Sequence, residues 1–334
     1  MKVRLKPLEE QVVVITGATS GIGLTTARKA AQAGAALVLA ARSEDALRAL
    51  VAELRAAGAS AIAVVTDVGS EGGVQRIADE AIREFGGFDT WVNNAGASVY
   101  GTCLEVSIDD MRRVFETNVW GVIYGCRVAC AHLRSRGGAI INIGSEVSDR
   151  AVPLQGIYSA SKHAVKGWTD ALRTELEYEG APISVTLIKP GPIDTPYTEH
   201  AKNYLEDQPK HAPPVYAPES VADAILHAAT RPVRDLFVGG GAALVATMQK
   251  LSPRLTDVVL ERTLIPGTHS GRPRHGREAL HRPGGALQER GDYEGWVRKS
   301  MYTRAMLHPG ITAAIAVGAG VLLTQAARLR MARG

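Results

Sequence analysis

Aromatic side chains are scarce in this chain: Phe, Trp and Tyr make up 5% of it, whereas glycine alone occurs 35 times in 334 residues. That balance speaks against an aromatic-rich binding surface and for close helix packing and tight backbone turns. Cysteine is equally sparse. Cys103, Cys126 and Cys130 are odd in number, and the last two stand i, i+4 in a segment that reads as helix, so a disulfide framework is not expected and a reducing, cytoplasmic compartment is. The opening MKVRLKPLEEQVVVITGA has no apolar core followed by a small-residue cleavage site, which argues against secretion. No metal is expected either. Cys126, Cys130 and His132 lack the paired spacing of zinc ligands, and His269, His275 and His281 recur among arginines without evident carboxylate partners.

What is present is an ordinary globular composition, 46% hydrophobic and 22% charged, which excludes disordered and collagen-like chains. Between residues 10 and 240, short β-branched runs alternate with helical stretches, as in a parallel sheet covered on both faces. Strands are predicted at 12–17, 36–42, 60–68, 89–96, 139–145, 183–191 and 235–240, and helices at 21–33, 43–57, 71–85, 108–134, 157–179 and 218–230. The fold class that follows is α/β, a Rossmann-type doubly wound parallel sheet of about seven strands with a C-terminal helical extension. A proline-rich insertion at 192–217, after the sixth strand, is placed as a lid over a crevice.

The last part of the chain is a different kind of sequence, and three regions are expected: 1–240 as the dinucleotide-binding catalytic domain, 241–304 as a helical and Gly/Pro/Arg-rich extension, and 305–334 as a hydrophobic helix with a basic end. A helix broken near Pro253 precedes the Gly/Pro/Arg-rich stretch. Residues 266–334 carry eleven Lys and Arg against four Asp and Glu, which reads as a solvated basic tail or as a surface for an anionic partner. Aromatics are not interleaved with the arginines, so nucleic acid is not the expected partner. Residues 309–327 hold nineteen uncharged positions, just enough to span a bilayer, though diluted by Ala, Gly, Thr and Gln. Two readings stand: a membrane-associated helix, or a terminal helix packed on the domain or on a partner subunit.

VVVITGATSGIGLTTARKAAQAGA runs from strand through a glycine turn, Gly17, Gly21 and Gly23, into helix. Such a turn lets backbone approach a pyrophosphate, while the helix N-terminus offers free N–H groups and the positive end of its dipole. TGATSGIG is similar to the cofactor motif of the short-chain dehydrogenase/reductase family, and further matches follow in order: NNAG at 93–96, Asn118, Ser145 at the end of the fifth strand, YSASK with Tyr158 and Lys162, and PGPIDT after the sixth strand. The resemblance covers about residues 10–240.

It implies a nicotinamide cofactor held by Thr16, Gly17, Ser20, Gly21, Ile22 and Gly23 at the turn, by Asp67 and Val68 at the adenine, and by Asn94, Ala95 and Gly96 beside the adenosine, with Asn93 close by. Pro190, Gly191, Ile193 and Thr195 fall, by the same resemblance, beside the nicotinamide, together with Tyr158 and Lys162. Where a carboxylate would select NAD(H), the second strand instead ends Ala41–Arg42. An arginine can bind a 2′-phosphate by charge-assisted hydrogen bonds, so NADP(H) is favoured over NAD(H).

Tyr158 and Lys162, four apart, share one helix face. A tyrosine titrating near 10 is a poor base at neutrality. An adjacent ammonium and an oxidised nicotinamide favour the phenolate, so the pair points to proton exchange with a carbonyl or secondary alcohol while hydride moves to or from the nicotinamide. The resemblance adds Ser145 to orient the substrate oxygen and Asn118 to hold a water linked to Lys162. Small neighbours Ser159, Ala160 and Ser161 leave room for a cofactor against the helix. The expected function is therefore an NADP(H)-dependent oxidoreductase acting on a small-molecule carbonyl or alcohol, as a homodimer or homotetramer through the helices at 108–134 and 157–179. The alternative is a nucleotide-binding sensor or scaffold of the same fold that does not turn over.

Overall fold

A computed structural model describes residues 3–285, 287–308, 310 and 312. The apolar runs form a seven-stranded sheet of β1 (Val12–Thr16), β2 (Ala36–Ala41), β3 (Ala61–Val65), β4 (Thr90–Asn93), β5 (Gly138–Ile143), β6 (Ile183–Pro190) and β7 (Asp235–Val238). Every pairing is parallel, in the order β7-β6-β5-β4-β1-β2-β3. β5 and β6 are buried at every residue, which is why they read as apolar runs rather than alternating ones. The order reverses between β1 and β4, and the crevice beyond their C-terminal ends is where a doubly wound sheet binds ligands.

Helices cover both faces. α1 (Gly21–Gln32), α2 (Glu44–Ala56) and α8 (Pro218–Thr230) pack with Val13 and Ile15 on one side. α3 (Glu71–Phe85), α5 (Gly121–Leu133) and α6 (Gly156–Tyr178) pack with Val14 on the other. Successive β1 residues thus serve opposite cores, as the pleat requires. Ala27 and Ala30 of α1 meet Ala224 and Ala228 of α8, all fully buried, so small side chains let these helices approach closely. Leu50 of α2 is fully buried in the same core, where truncation to alanine costs about 2–5 kcal/mol.

The helix expected over 108–134 is three pieces: α4 (Ile108–Phe115), a π-helical turn (Glu116–Trp120) and α5. The wider turn carries Asn118, whose side chain reaches across to Ala97 and Ser161; π-turns collect at functional sites for this reason. The lid contains the short helix α7 (Tyr197–His200) and two short parallel pairings, Lys202–Asn203 with Val99–Tyr100 and Val215–Tyr216 with Val297–Arg298.

Beyond β7, α9 (Gly240–Leu251) and α10 (Pro253–Thr268) break at Ser252 beside the proline that sequence marks. The segment that follows is largely irregular, but it is not a free basic tail. Arg277 pairs with Glu199 at 3.1 Å, Arg290 with Glu219 at 2.6 Å and with Asp194 at 3.2 Å, Glu278 with Lys202 at 2.8 Å, and Glu289 with Arg28 at 2.6 Å. The three histidines do have carboxylate partners, contrary to expectation: His269 with Asp207, His275 with Asp292 and His281 with Asp110, at 2.6, 2.8 and 2.6 Å. Two of these partners are far away in sequence, which hid them. Among the described residues, no group of three or more such side chains is set to hold a metal ion. The uncharged stretch 309–327 and the arginines after it lie outside the described residues, apart from Gly310 and Thr312. No helix among the described residues is long and apolar enough to cross a membrane.

Candidate active site

At the crevice, β1 ends in Thr16, whose hydroxyl donates to the Val92 carbonyl and accepts the backbone N–H groups of Asn94 and Ala95 at 3.0 and 3.1 Å. Asn94 returns its amide to the Thr16 and Gly17 carbonyls. These bonds clip the glycine turn to the end of β4. A Cβ on Gly23 would lie 2.2 Å from the Gly17 carbonyl oxygen, and Gly17 itself adopts φ +67, so neither position tolerates a side chain. The result is a backbone-lined cradle at the start of α1, the shape and donor set that a pyrophosphate requires.

The cleft continues from this cradle to Tyr158 and holds about 340 Å³. All the predicted site residues except Thr16, Gly23 and Asn118 line it. Thr16 and Gly23 shape its floor from behind. Asn93 stands apart: its amide donates to Asn142 and its oxygen accepts from Trp91, in a buried polar ladder that runs on to Thr169. Its expected place beside the adenosine is thus replaced by a structural one. Cys126 lies against the same ladder, its thiol pushed up to about 12 by burial.

At the adenosine end, Asp67 accepts from Gly69 N–H and from the Arg113 guanidinium, which outweigh burial and hold its carboxyl below the usual range. Arg42 stands where sequence put it, at the end of β2. Its guanidinium donates to the carbonyl oxygens of Ala279, in a short contact, and Leu280, at 3.0 Å. Burial and the nearby Arg113 lower its pKa.

At the other end, Ser145 caps a short helical turn following β5, and α6 presents Tyr158 and Lys162. The Lys162 ammonium donates to the Ile143 carbonyl at 2.8 Å and sits 5.7 Å from the centre of the Tyr158 ring. Burial lowers its pKa to about 8. The Tyr158 phenol is raised by burial, and the hydroxyls of Tyr197 and Ser145 beside it act in the opposite direction. The sequence expectation is a lowering by Lys162 together with an oxidised nicotinamide; among the protein's own groups desolvation is the larger influence, and the neighbours that oppose it are hydroxyls. Asn118 exchanges hydrogen bonds with Ala97 and donates to Ser161, which uses both of its amide hydrogens and one oxygen lone pair. Its Oδ1 and the Lys162 Nζ both flank Gly96.

Several side chains at or near the cleft were not singled out from the sequence. Tyr197, from the lid, meets Tyr158 edge-on at 5.5 Å and stacks on His211 at 6.0 Å, and its hydroxyl is 2.7 Å from Ser98 Oγ. Tyr293 of the C-terminal segment lies edge-on to His211 at 6.4 Å. Glu146, directly after Ser145, has its carboxyl pushed up to about 7 by burial, and burial holds His211 down to about 4. An acidic residue adjoining the serine, and an aromatic after the PGPIDT segment, are the signals that mark Glu146 and Tyr197.

Residues 11–205 match the family model of the short chain dehydrogenases. The chain belongs to the short-chain dehydrogenase/reductase family. Its relatives include the uncharacterized oxidoreductase YxnA of Bacillus subtilis, 50% identical over 323 residues that cover 95% of this chain and 91% of YxnA. Among solved structures, a short-chain dehydrogenase/reductase from Burkholderia phymatum in complex with NAD is 32% identical, with a TM-score of 0.57 over 77% of this chain and 93% of that one. A short-chain dehydrogenase from Burkholderia cenocepacia in complex with NADP is 26% identical, with a TM-score of 0.65 over 76% and 99%. The protein is thus a short-chain dehydrogenase/reductase with an NAD(P)-type cleft, and the likeness to YxnA takes in its C-terminal segment as well.

Proposed function

We propose that this short-chain dehydrogenase/reductase interconverts a carbonyl and a secondary alcohol with NADP(H), and that Tyr158 is the proton donor and acceptor. The convergence of Tyr158, Ser145 and Lys162 on the cleft that begins at the glycine cradle carries this reading. The nicotinamide, when bound, supplies or accepts the hydride. Ser145 orients the substrate oxygen toward the phenol. Tyr158 gives that oxygen a proton as negative charge grows on it, and takes one back in the oxidative direction. Lys162, fixed on Ile143 O by one of its three donors, keeps two for the ribose hydroxyls and for the proton path.

The substrate end favours an uncharged, ring-bearing or otherwise apolar compound. Tyr100, Tyr158, Tyr197 and His211 form its wall, and burial keeps the Glu146 carboxyl protonated up to about pH 7. Arg42 supports NADP(H), since an arginine at the end of β2 suits a 2′-phosphate. The stacked and half-exposed Trp120 beside Tyr124 supports assembly through the face that α5 presents.

The test is fluorescence titration with both reduced cofactors, followed by a panel of ketones and aldehydes. NADPH is expected to bind more tightly than NADH, and Arg42→Ala to weaken NADPH by on the order of tenfold while leaving NADH within a factor of about two. Equal affinities in the wild type, unchanged by that substitution, would reject the cofactor assignment.

A further inference from the structure

The segment after α10 crosses the mouth of the cofactor cleft and is fastened on both sides of it. On the adenosine side, Glu278 holds Lys202 at 2.8 Å and the Asn203 N–H at 3.1 Å, Ala279 N–H donates to the His200 carbonyl at 2.8 Å, and His281 pairs with Asp110. Leu280 is buried among Val99, Val106 and Val114. On the glycine-turn side, Gly21 N–H, a first-turn amide of α1, donates to the Gln288 carbonyl at 2.9 Å, and Glu289 and Arg290 make the ion pairs already described. Gly284 and Gly285 line the cleft between these anchors.

The first anchor puts carbonyl oxygens where a phosphate is expected. Arg42 gives one NH group to Leu280 O and another to Ala279 O, while Arg113 also donates to Leu280 O at 3.2 Å. The two carbonyls take one N–H from each terminal nitrogen of the five-donor guanidinium, which holds its planar fork toward the strap rather than toward an incoming phosphate.

We propose that residues 278–281 are a cofactor-discriminating element: their carbonyls compete with the 2′-phosphate for Arg42, so the strap can stay fastened over NAD(H) and must release Arg42 for NADP(H). This deepens the cofactor assignment made above and rests on it. A phosphate outbids a neutral carbonyl for a guanidinium because both partners are then ionised. NADP(H) therefore wins Arg42, but it does so against the strap, and its advantage is smaller than Arg42 would otherwise give. NAD(H) has no 2′-phosphate to contest the Arg42 bonds and leaves that anchor intact, while the pyrophosphate that faces the Gly21 N–H is common to both cofactors and does not discriminate between them. The extension is thereby part of the cofactor site, although it lies more than two hundred residues beyond the glycine turn.

Direct binding to the full-length protein tests this. The ratio of NADPH to NADH affinity is measured by fluorescence titration for the wild type, for Glu278→Gln combined with Leu280→Ala, and for Glu289→Gln. The first variant loosens the anchor beside Arg42 and is expected to raise the ratio by on the order of tenfold. The second loosens only the far anchor and is expected to leave the ratio at its wild-type value. Hydrogen exchange of the wild type, read on peptides spanning 278–281, adds a measurement that no substitution can disturb: exchange is expected to be faster with NADPH bound than with NADH bound. Equal protection with both cofactors, or an unchanged ratio in the double variant, overturns the inference. Arg42→Ala separates the two failures. If it weakens NADPH while the double variant leaves the ratio unchanged, only the role of the strap falls. If it leaves NADPH binding intact, the cofactor assignment falls and takes the strap with it.

Discussion

The rings of Tyr158 and Tyr197 meet edge-on, 5.5 Å between centroids at an angle of 63°, with the Tyr197 hydroxyl also 2.7 Å from Ser98 Oγ. The tyrosine of the Tyr-x-x-x-Lys motif is therefore packed against a second tyrosine supplied by the lid. The position of that segment and the acidity of the phenol thus meet in one contact.

Tyr197→Phe tests that contact. The hydroxyl it removes favours the Tyr158 phenolate, so its loss raises the Tyr158 pKa. In the alcohol-oxidising direction, the limb of the kcat profile that needs the phenolate is expected to move to higher pH, with cofactor affinity unchanged. A profile that stays in place while kcat falls uniformly would assign Tyr197 to packing alone.

Glu146 makes a prediction about stability. Its carboxyl is raised by burial from 4.5 to about 7 in the folded protein. Below pH 4.5 both states hold the proton and there is no penalty. Between pH 4.5 and 7 the unfolded chain releases it and the folded protein does not, so stability is lost as pH rises, by up to about 3 kcal/mol. Glu146→Gln has no such loss. Its Tm is expected to exceed that of the wild type at pH 8 by more than at pH 5; a pH-independent difference would place the carboxyl in ordinary solvent.

Asn142 joins Asn93 to Thr169 through hydrogen bonds of 2.8 and 2.9 Å inside the core between the sheet and its covering helices. Asn142→Ala leaves the Asn93 amide without its acceptor in a dry site and is expected to cost about 2–4 kcal/mol in urea unfolding. A cost under about 0.5 kcal/mol would mean that water or a rearranged Asn93 replaces the bond.

The fold was legible because its signals are local. β-branched runs and glycine punctuation mark the strands, and Pro253 marks the break between α9 and α10. The positions of Tyr158, Lys162 and Ser145 on one cleft were legible for the same reason, since a helix face and a strand end place them. Long-range partners were not. Low aromatic content pointed away from an aromatic surface, yet Tyr197 joins Tyr158, Tyr100 and His211 in ring contacts, and Tyr293 extends the row from His211, all drawn from separate segments. The basic segment beyond α10 suggested a solvated tail, because the acids that pair with it, Glu199, Asp194 and Glu219, belong to the lid and to α8. The balance of forces on Tyr158 was equally hidden, as burial depends on what the fold packs over the phenol.

In the proposed reaction the Tyr158 hydroxyl moves the proton while the cofactor cleft stands independently of it. Single-turnover oxidation of bound NADPH, followed by absorbance with a reactive ketone from the panel, tests it in Tyr158→Phe. NADPH affinity is expected within a factor of about two of the wild type, with a turnover rate lower by on the order of a hundred- to ten-thousand-fold. A variant that binds NADPH normally and reduces the ketone at the wild-type rate would contradict it.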